Sequence, residues 1–209
     1  ADPVGVKEKA ERLGVPSSYT DFVEMMDNCK PDCIHICTPN NTHMSIAMAA
    51  IERGINVICE KPMARNADEA QLMVDAANKK GLICALNFHN RYYPIPYRMR
   101  RLVQEGALGQ VYHVQGGYLQ DWLQMKTDFS WKILSEQCGK TRATADLGSH
   151  WIDLAEYVTG QKVTEVFAEF KTVYPQRTQI TEKGPQDVNI DTEDFSCVIL
   201  RFDGGAIGT

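Results

Sequence analysis

No apolar run in the 209-residue chain approaches the roughly 20 residues that a helix needs to cross a bilayer. No long basic run breaks its formal charge of −5 either. The first absence argues against a helical membrane span, and the second against nucleic acid or an anionic membrane surface as the main partner. Cys-x-x-Cys pairs are missing too, although there are seven cysteines. Their odd number and irregular spacing suit reduced core thiols of a cytosolic protein, as in Cys33-Ile34-His35-Ile36-Cys37, and not a disulfide framework. Gly-x-Ser-x-Gly does not occur, and Ser149 and His150 are neighbours that would not face each other on a helix, so a serine hydrolase is not indicated. There is no initiator methionine, signal peptide, low-complexity tract or internal repeat. The chain opens Ala1-Asp2-Pro3 and stops just after a hairpin-like Asp203-Gly204-Gly205, so it reads as truncated at both ends. What it does have is 44% hydrophobic residues, enough to fill a sizeable core.

The apolar residues change period along the chain. A helix is expected from Thr20-Asp21 onward, then a buried strand over 33–38 and a helix over 44–53, with apolar Ile46, Ala47, Ala50 and Ile51 on one face and Gly54 at its end. Another strand follows over 56–59. Asn66, with Glu69 three residues on, resembles a capping box that opens a helix closed by Gly81, and 82–86 is a further strand. Short apolar strands alternating with helices predict a parallel sheet covered on both faces. Beyond residue 108 the pattern is different. Long β-rich stretches at 111–120, 163–174 and 194–202, a helix over 143–158 ending at Gly160, and a long polar loop over 175–192 predict an α+β domain with a large, mostly antiparallel open sheet. The expected division is 1–108 and 109–209, the second part incomplete at its C-terminus.

Ligands of open α/β sheets bind beyond the C-terminal strand ends. Thr38-Pro39-Asn40, Glu60-Lys61-Pro62 and Asn87-Phe88-His89 all fall there. Lys61 could polarise a hydroxyl or carbonyl oxygen; alternatively Glu60 and Lys61 form a surface pair, which alternation along a strand makes awkward. On a helix Asp146 and His150 share a face, with Asp153 near it, and a carboxylate beside an imidazole suits proton transfer; an ordinary helix ion pair is the alternative. Cys33, His35 and Cys37 share a strand face, but no fourth ligand accompanies them and no metal site is assigned. His43, Arg91 and Trp131 could line a pocket or simply pack.

Taken in order, Ile36-Cys37-Thr38-Pro39-Asn40-Asn41-Thr42-His43, Cys59-Glu60-Lys61-Pro62 and Asp146-Leu147-Gly148-Ser149-His150-Trp151-Ile152-Asp153 resemble the successive motifs of the Gfo/Idh/MocA oxidoreductases, over nearly the whole chain. The resemblance implies a Rossmann-type domain that binds a nicotinamide dinucleotide, followed by a substrate-binding domain. It implies hydride transfer between that cofactor and a sugar, inositol or related polyol, in a cytoplasmic homodimer or homotetramer. By the same resemblance Lys61, Asp146 and His150 are catalytic, with Asp146 as the partner of His150. Asp2, Thr38, Pro39, Asn40, His43, Glu60 and Lys61 bind cofactor, Arg91, Trp131, Asp146 and His150 bind substrate, and a cis peptide precedes Pro62.

The chain departs from the family's pattern at two points. No Gly-x-Gly-x-x-Gly occurs, so the first strands and the glycine loop are missing, and Asp2 would then meet the adenosine ribose, favouring NAD with NADP as the alternative. Asn87 stands where many relatives have glycine. Two other readings share the fold: a non-catalytic sugar- or dinucleotide-sensing regulator, and an NAD-dependent glycosidase. Polar residues such as His89, Asn90, Tyr118, Gln120, Trp122 and Lys132 suit a hydroxyl-rich ligand without identifying it.

Overall fold

Short polar side chains set the helix starts of the first half. In the computed structural model, which describes residues 3–209, Asp21 accepts the Glu24 amide at 2.8 Å and caps a helix over Phe22–Cys29, one residue after the expected Thr20. Asn66 likewise accepts the Glu69 amide at 2.9 Å and opens Ala67–Lys80, which Gly81 ends at a φ of 64°. The expected capping box closes differently, because the Glu69 carboxylate takes the amide and guanidinium of Arg65.

The first half runs α1 (Pro3–Leu13), α2 (Phe22–Cys29), β1 (Cys33–Ile36), α3 (Asn40–Glu52), β2 (Asn56–Cys59), α4 (Ala67–Lys80) and β3 (Cys84–Leu86). Its three strands are parallel in the order β1-β2-β3. Ile34, Ile36, Val57 and Cys59 turn one face into a core with Ala47, Ala50, Ile51, Met73 and Ala77. Cys33, His35 and Ile58 on the other face are exposed. Covering of both faces was expected. Among the described residues only one face is covered, because consecutive right-handed crossovers put α3 and α4 on the same side.

A 3-10 turn over His89–Tyr92 leads into α5 (Pro94–Gln104), which packs on a later helix, α7 (Ser149–Thr159). The rest comprises β4 (His113–Val114), α6 (Ser135–Cys138), β5 (Val163–Lys171), β6 (Gln176–Thr181), β7 (Gly184–Asn189), β8 (Phe195–Phe202) and β9 (Ile207–Gly208). A four-stranded sheet has the order β4-β9-β8-β5, antiparallel except for β4 on β9. Leu200, Phe202 and Ala206 pack from it against Ala155 and Trp151 of α7.

Two expectations for this half need correction. Only His113–Val114 of the stretch 111–120 is strand; the Gly116 amide still reaches the Thr209 carbonyl at 3.1 Å, and beyond residue 120 a side chain holds the backbone. The Arg177 guanidinium, 1% exposed, donates to the carbonyls of Leu123, Met125 and Asp128. The polar stretch 175–192 is not a loop, since β6 and β7 form a hairpin whose cross-strand Thr178 hydroxyl donates to Asp187 at 2.7 Å. Among the described residues no helix is long and apolar enough to cross a membrane.

Candidate active site

The ends of β1, β2 and β3 bring Thr38-Pro39-Asn40, Glu60-Lys61-Pro62 and Asn87-Phe88-His89 to one crevice, where the second half meets them. The Lys61–Pro62 peptide is cis, as the resemblance implies. Alternation along the strand sends Glu60 and Lys61 in different directions, so they do not pair with each other. Glu60 accepts from the Asn87 amide at 2.6 Å and lies 3.7 Å from His35. Lys61 Nζ, on a side chain 13% exposed, donates to the carboxylate and to the main-chain carbonyl of Asp146, both at 2.6 Å.

Asp146 sits in a turn of π-helix over Thr144–Gly148, in which the Ser149 amide reaches back five residues to the Thr144 carbonyl before α7 begins. A second ammonium, Lys132 of the 3-10 turn Trp131–Ile133, donates to both carboxylate oxygens at 3.1 and 2.9 Å. Burial pushes the Asp146 carboxyl up, but the hydrogen bonds and charge of Lys61, and then of Lys132, outweigh it and hold the group below its ordinary value.

His150, 4% exposed, is ringed by Phe88, His89 and Tyr118 at centroid distances of 5.8, 5.1 and 5.9 Å. The expected pairing of Asp146 with His150 does not form. Two ammonium groups outcompete a neutral ring for the carboxylate, and His150 Nδ1 is buried without a hydrogen-bond partner. Burial, the Lys61 charge and His89 together lower the His150 pKa, and the opposing pull of Asp146 and Asp153 does not restore it. The site therefore holds a neutral imidazole and an ammonium, a combination that can accept a proton and stabilise a negative oxygen.

The remaining expected residues divide by location. His43, 1% exposed, has its ring nitrogens 2.9 Å from the Pro62 carbonyl oxygen and 2.8 Å from that of Thr38, so it braces two crevice loops from beneath. Asn40 donates to the Cys138 carbonyl at 3.2 Å and ties the first half to the second. Thr38, Asn40, Glu60, Lys61, Trp131 and Asp146 line a cavity of about 170 Å³. Lys132 and Asp146 also line a neighbouring cavity of about 370 Å³ with Tyr118, Gln120, Trp122 and Trp151. Arg91 is held by the buried Asp153 carboxylate, with Nε at 2.7 Å, and anchors the turn after β3 to α7. Pro39 precedes α3, and Asp2 lies outside the described residues. His35, Cys37 and Glu60, the first two exposed and Glu60 half-buried, bring donor atoms within 4.8 Å of one another and supply three ligands where closed structural sites use four. Sequence reasoning missed the bond from Lys132 to Asp146 and the clasp made by Arg177, since neither follows a local spacing rule.

Two family models match the chain. One, described as an oxidoreductase family with an NAD-binding Rossmann fold, covers residues 2–88; the other, the GFO/IDH/MocA C-terminal domain, covers 97–209. Levoglucosan dehydrogenase of Pseudarthrobacter phenanthrenivorans is 32% identical over 100% of this chain and 56% of its own length. D-glucoside 3-dehydrogenase of Escherichia coli is 30% identical over 95% of this chain and 56% of its own. A solved levoglucosan dehydrogenase in complex with NADH and levoglucosan superposes with a TM-score of 0.90 at 33% identity, over 100% of this chain and 54% of that one. The chain thus spans about half the length of the curated relatives it matches.

Proposed function

Because the chain belongs to the Gfo/Idh/MocA family of oxidoreductases, we propose that the protein is a nicotinamide-dependent dehydrogenase interconverting a hydroxyl and a keto group on a sugar, inositol or related polyol. The observation that carries this reading is a buried His150, packed on Phe88 and His89 of a crevice loop, whose pKa is lowered by burial and by the charge of the Lys61 ammonium. At neutral pH the imidazole is unprotonated and can take the substrate hydroxyl proton. Lys61 N–H groups stabilise the developing alkoxide, with Asp146 holding the ammonium in place. In the reverse direction the protonated imidazole returns the proton to a keto oxygen.

When bound, the nicotinamide ring supplies the hydride acceptor. The donor set at the strand ends suits that end of the cofactor: the Thr38 hydroxyl, the Asn40 amide and the Glu60 carboxylate can meet a carboxamide and ribose hydroxyls. NAD is proposed over NADP because Asp2 would repel a 2′-phosphate, a choice supported by the relative solved with NADH. Trp131 lines the smaller cavity beside Lys61 and is assigned to the substrate with Arg91, which would act from its anchored place beside Asp153, and the larger cavity, with Tyr118, Gln120 and Trp122, suits a hydroxylated ring.

The division at 108/109 and a cytoplasmic location are part of the same reading, the latter supported by seven unpaired cysteines. A homodimer or homotetramer is supported by the outward face of β5, β8 and β9, which bares Phe167, Phe195, Ile199 and Ile207. A monomer by light scattering would remove the oligomer from the proposal.

The test is NADH formation by the full product of the gene across sugars, inositols and glycosides, with His150→Ala beside it. Turnover should fall about 10²–10⁴-fold in the variant while NADH binding persists. Cofactor binding with no reduction across the panel would instead make the protein a sensor, and sugar release without net NADH would make it a glycosidase.

A further inference from the structure

We propose that Lys132 is a positioning residue, which holds the Asp146 carboxylate away from His150 and so leaves the imidazole free to act as the base of the site. This rests on the dehydrogenase reading for its purpose, but not for its geometry. The two carboxylate oxygens of Asp146 have different partners. Oδ1 receives Lys61 at 2.6 Å and Lys132 at 3.1 Å, whereas Oδ2 receives Lys132 alone, at 2.9 Å.

Without Lys132, Oδ2 would be a charged acceptor with no donor, on a side chain only 16% exposed. Two buried nitrogens of the elements around Asp146 lack a partner, Arg142 Nε and His150 Nδ1, and the imidazole is the one whose proton affinity the carboxylate would change. His150 begins a turn after Asp146 in the chain, and a carboxylate turned toward it would favour the protonated ring.

The other charged and titratable groups facing His150 do not supply this control. Lys61 and His89 oppose its protonation and Asp153 favours it, but Asp153 is already bound to Arg91. Phe88 and Tyr118 contribute only rings. The hydrogen bonds of Lys132 go to the Asp146 carboxylate, so the influence proposed for it passes through Asp146. Its ammonium is fixed from the far side by the indoles of Trp122 and Trp131, at 5.8 and 6.0 Å, which keep it over the carboxylate.

The experiment is a ring-nitrogen NMR titration of His150 in the full gene product, as wild type, Lys132→Met, Lys132→Arg, Asp146→Asn and the Met/Asn double variant. Lys132→Met should raise the His150 pKa by roughly half to one unit and move the acid limb of kcat/KM upward with it. Lys132→Arg, which keeps two N–H groups on the carboxylate, should restore both. In the Asp146→Asn background Lys132→Met should shift nothing, because the carboxylate through which it acts is gone.

An unchanged titration in folded Lys132→Met, or an equal shift with and without Asp146, overturns the proposal. If Lys132→Met fails to fold, Lys132→Leu, which likewise has no donor, carries the same comparison. Absent turnover in the wild type would defeat the dehydrogenase reading, and the titration would still decide the role of Lys132.

Discussion

Replacing Lys61 with methionine separates three effects that the structure assigns to one ammonium. The first is stability. Removing one partner of a buried ion pair costs about 3–5 kcal/mol when the other charge is left bare. Here Lys132 still holds both oxygens of Asp146, so the loss should shrink to that of a charged hydrogen bond, about 1.5–3 kcal/mol. For a chain of this size that lowers Tm by roughly 3–12 °C.

The second effect is catalytic. Losing a donor aimed at a developing oxyanion should cost about 10²–10³ in kcat. The third is proton affinity: after burial, the Lys61 charge is the next cause that lowers His150, so the acid limb of kcat/KM should rise toward the ordinary value of 6.5. The assay is NADH formation across pH on the full gene product, alongside thermal melting and a cofactor-binding titration. Turnover within about threefold of wild type, in a protein that melts normally, would refute the reasoning, since the proposed alkoxide contact would then be idle.

Acid should unfold the protein in two stages. Burial pushes the Asp146 and Asp194 carboxyls up, but their lysine and arginine partners outweigh it and hold both below 3.8, so their stabilisation is full above that value and is lost as pH falls through the folded pKa. His150 is lowered from 6.5, so the unfolded chain takes up a proton that the folded chain refuses, and stability begins to fall below pH 6.5. Urea midpoints flat between about pH 6.5 and pH 5 would contradict a buried neutral ring. Gly139 has a φ of 96°, and a Cβ there would lie 2.6 Å from the Arg65 carbonyl oxygen. Gly139→Ala should therefore cost about 1–3 kcal/mol by chemical denaturation, and a neutral result would remove the claimed crowding. Arg177→Met should destabilise by about 3–5 kcal/mol, chiefly because three carbonyls lose a buried donor, since Asp194 keeps Arg142; a melting point like that of wild type would show the clasp to be dispensable.

Features governed by neighbours in the chain were readable from the sequence. The bounds of β2, the Asn66 cap and the Gly81 and Gly160 stops depend on spacings of a few residues, and so did the prediction that Lys61 faces away from Glu60. Features settled by distant partners were not. Helix α5 hides behind Pro94-x-Pro96 and gains its face only against α7. The segment after β4 looked like strand from its residue types, but its pairing stops after the Gly116 amide, and the carbonyls of Leu123 and Met125 are gripped by the distant Arg177. The β6–β7 hairpin is polar on both faces, which erases the alternation that marks a half-buried strand. At the site, the one-turn rule paired Asp146 with His150, whereas the carboxylate is claimed by lysines 85 and 14 residues away.

The bond between Lys61 and Asp146 joins residues from opposite halves of the molecule, and Asn40 with the Cys138 carbonyl makes a second such stitch. The crevice is therefore also the seam. Two of the three N–H groups of the Lys61 ammonium are taken up by the first stitch, so a ligand oxygen that takes the third meets a cation whose position depends on how the two halves are joined. Loosening the seam would therefore blunt the site even with every side chain of the crevice intact.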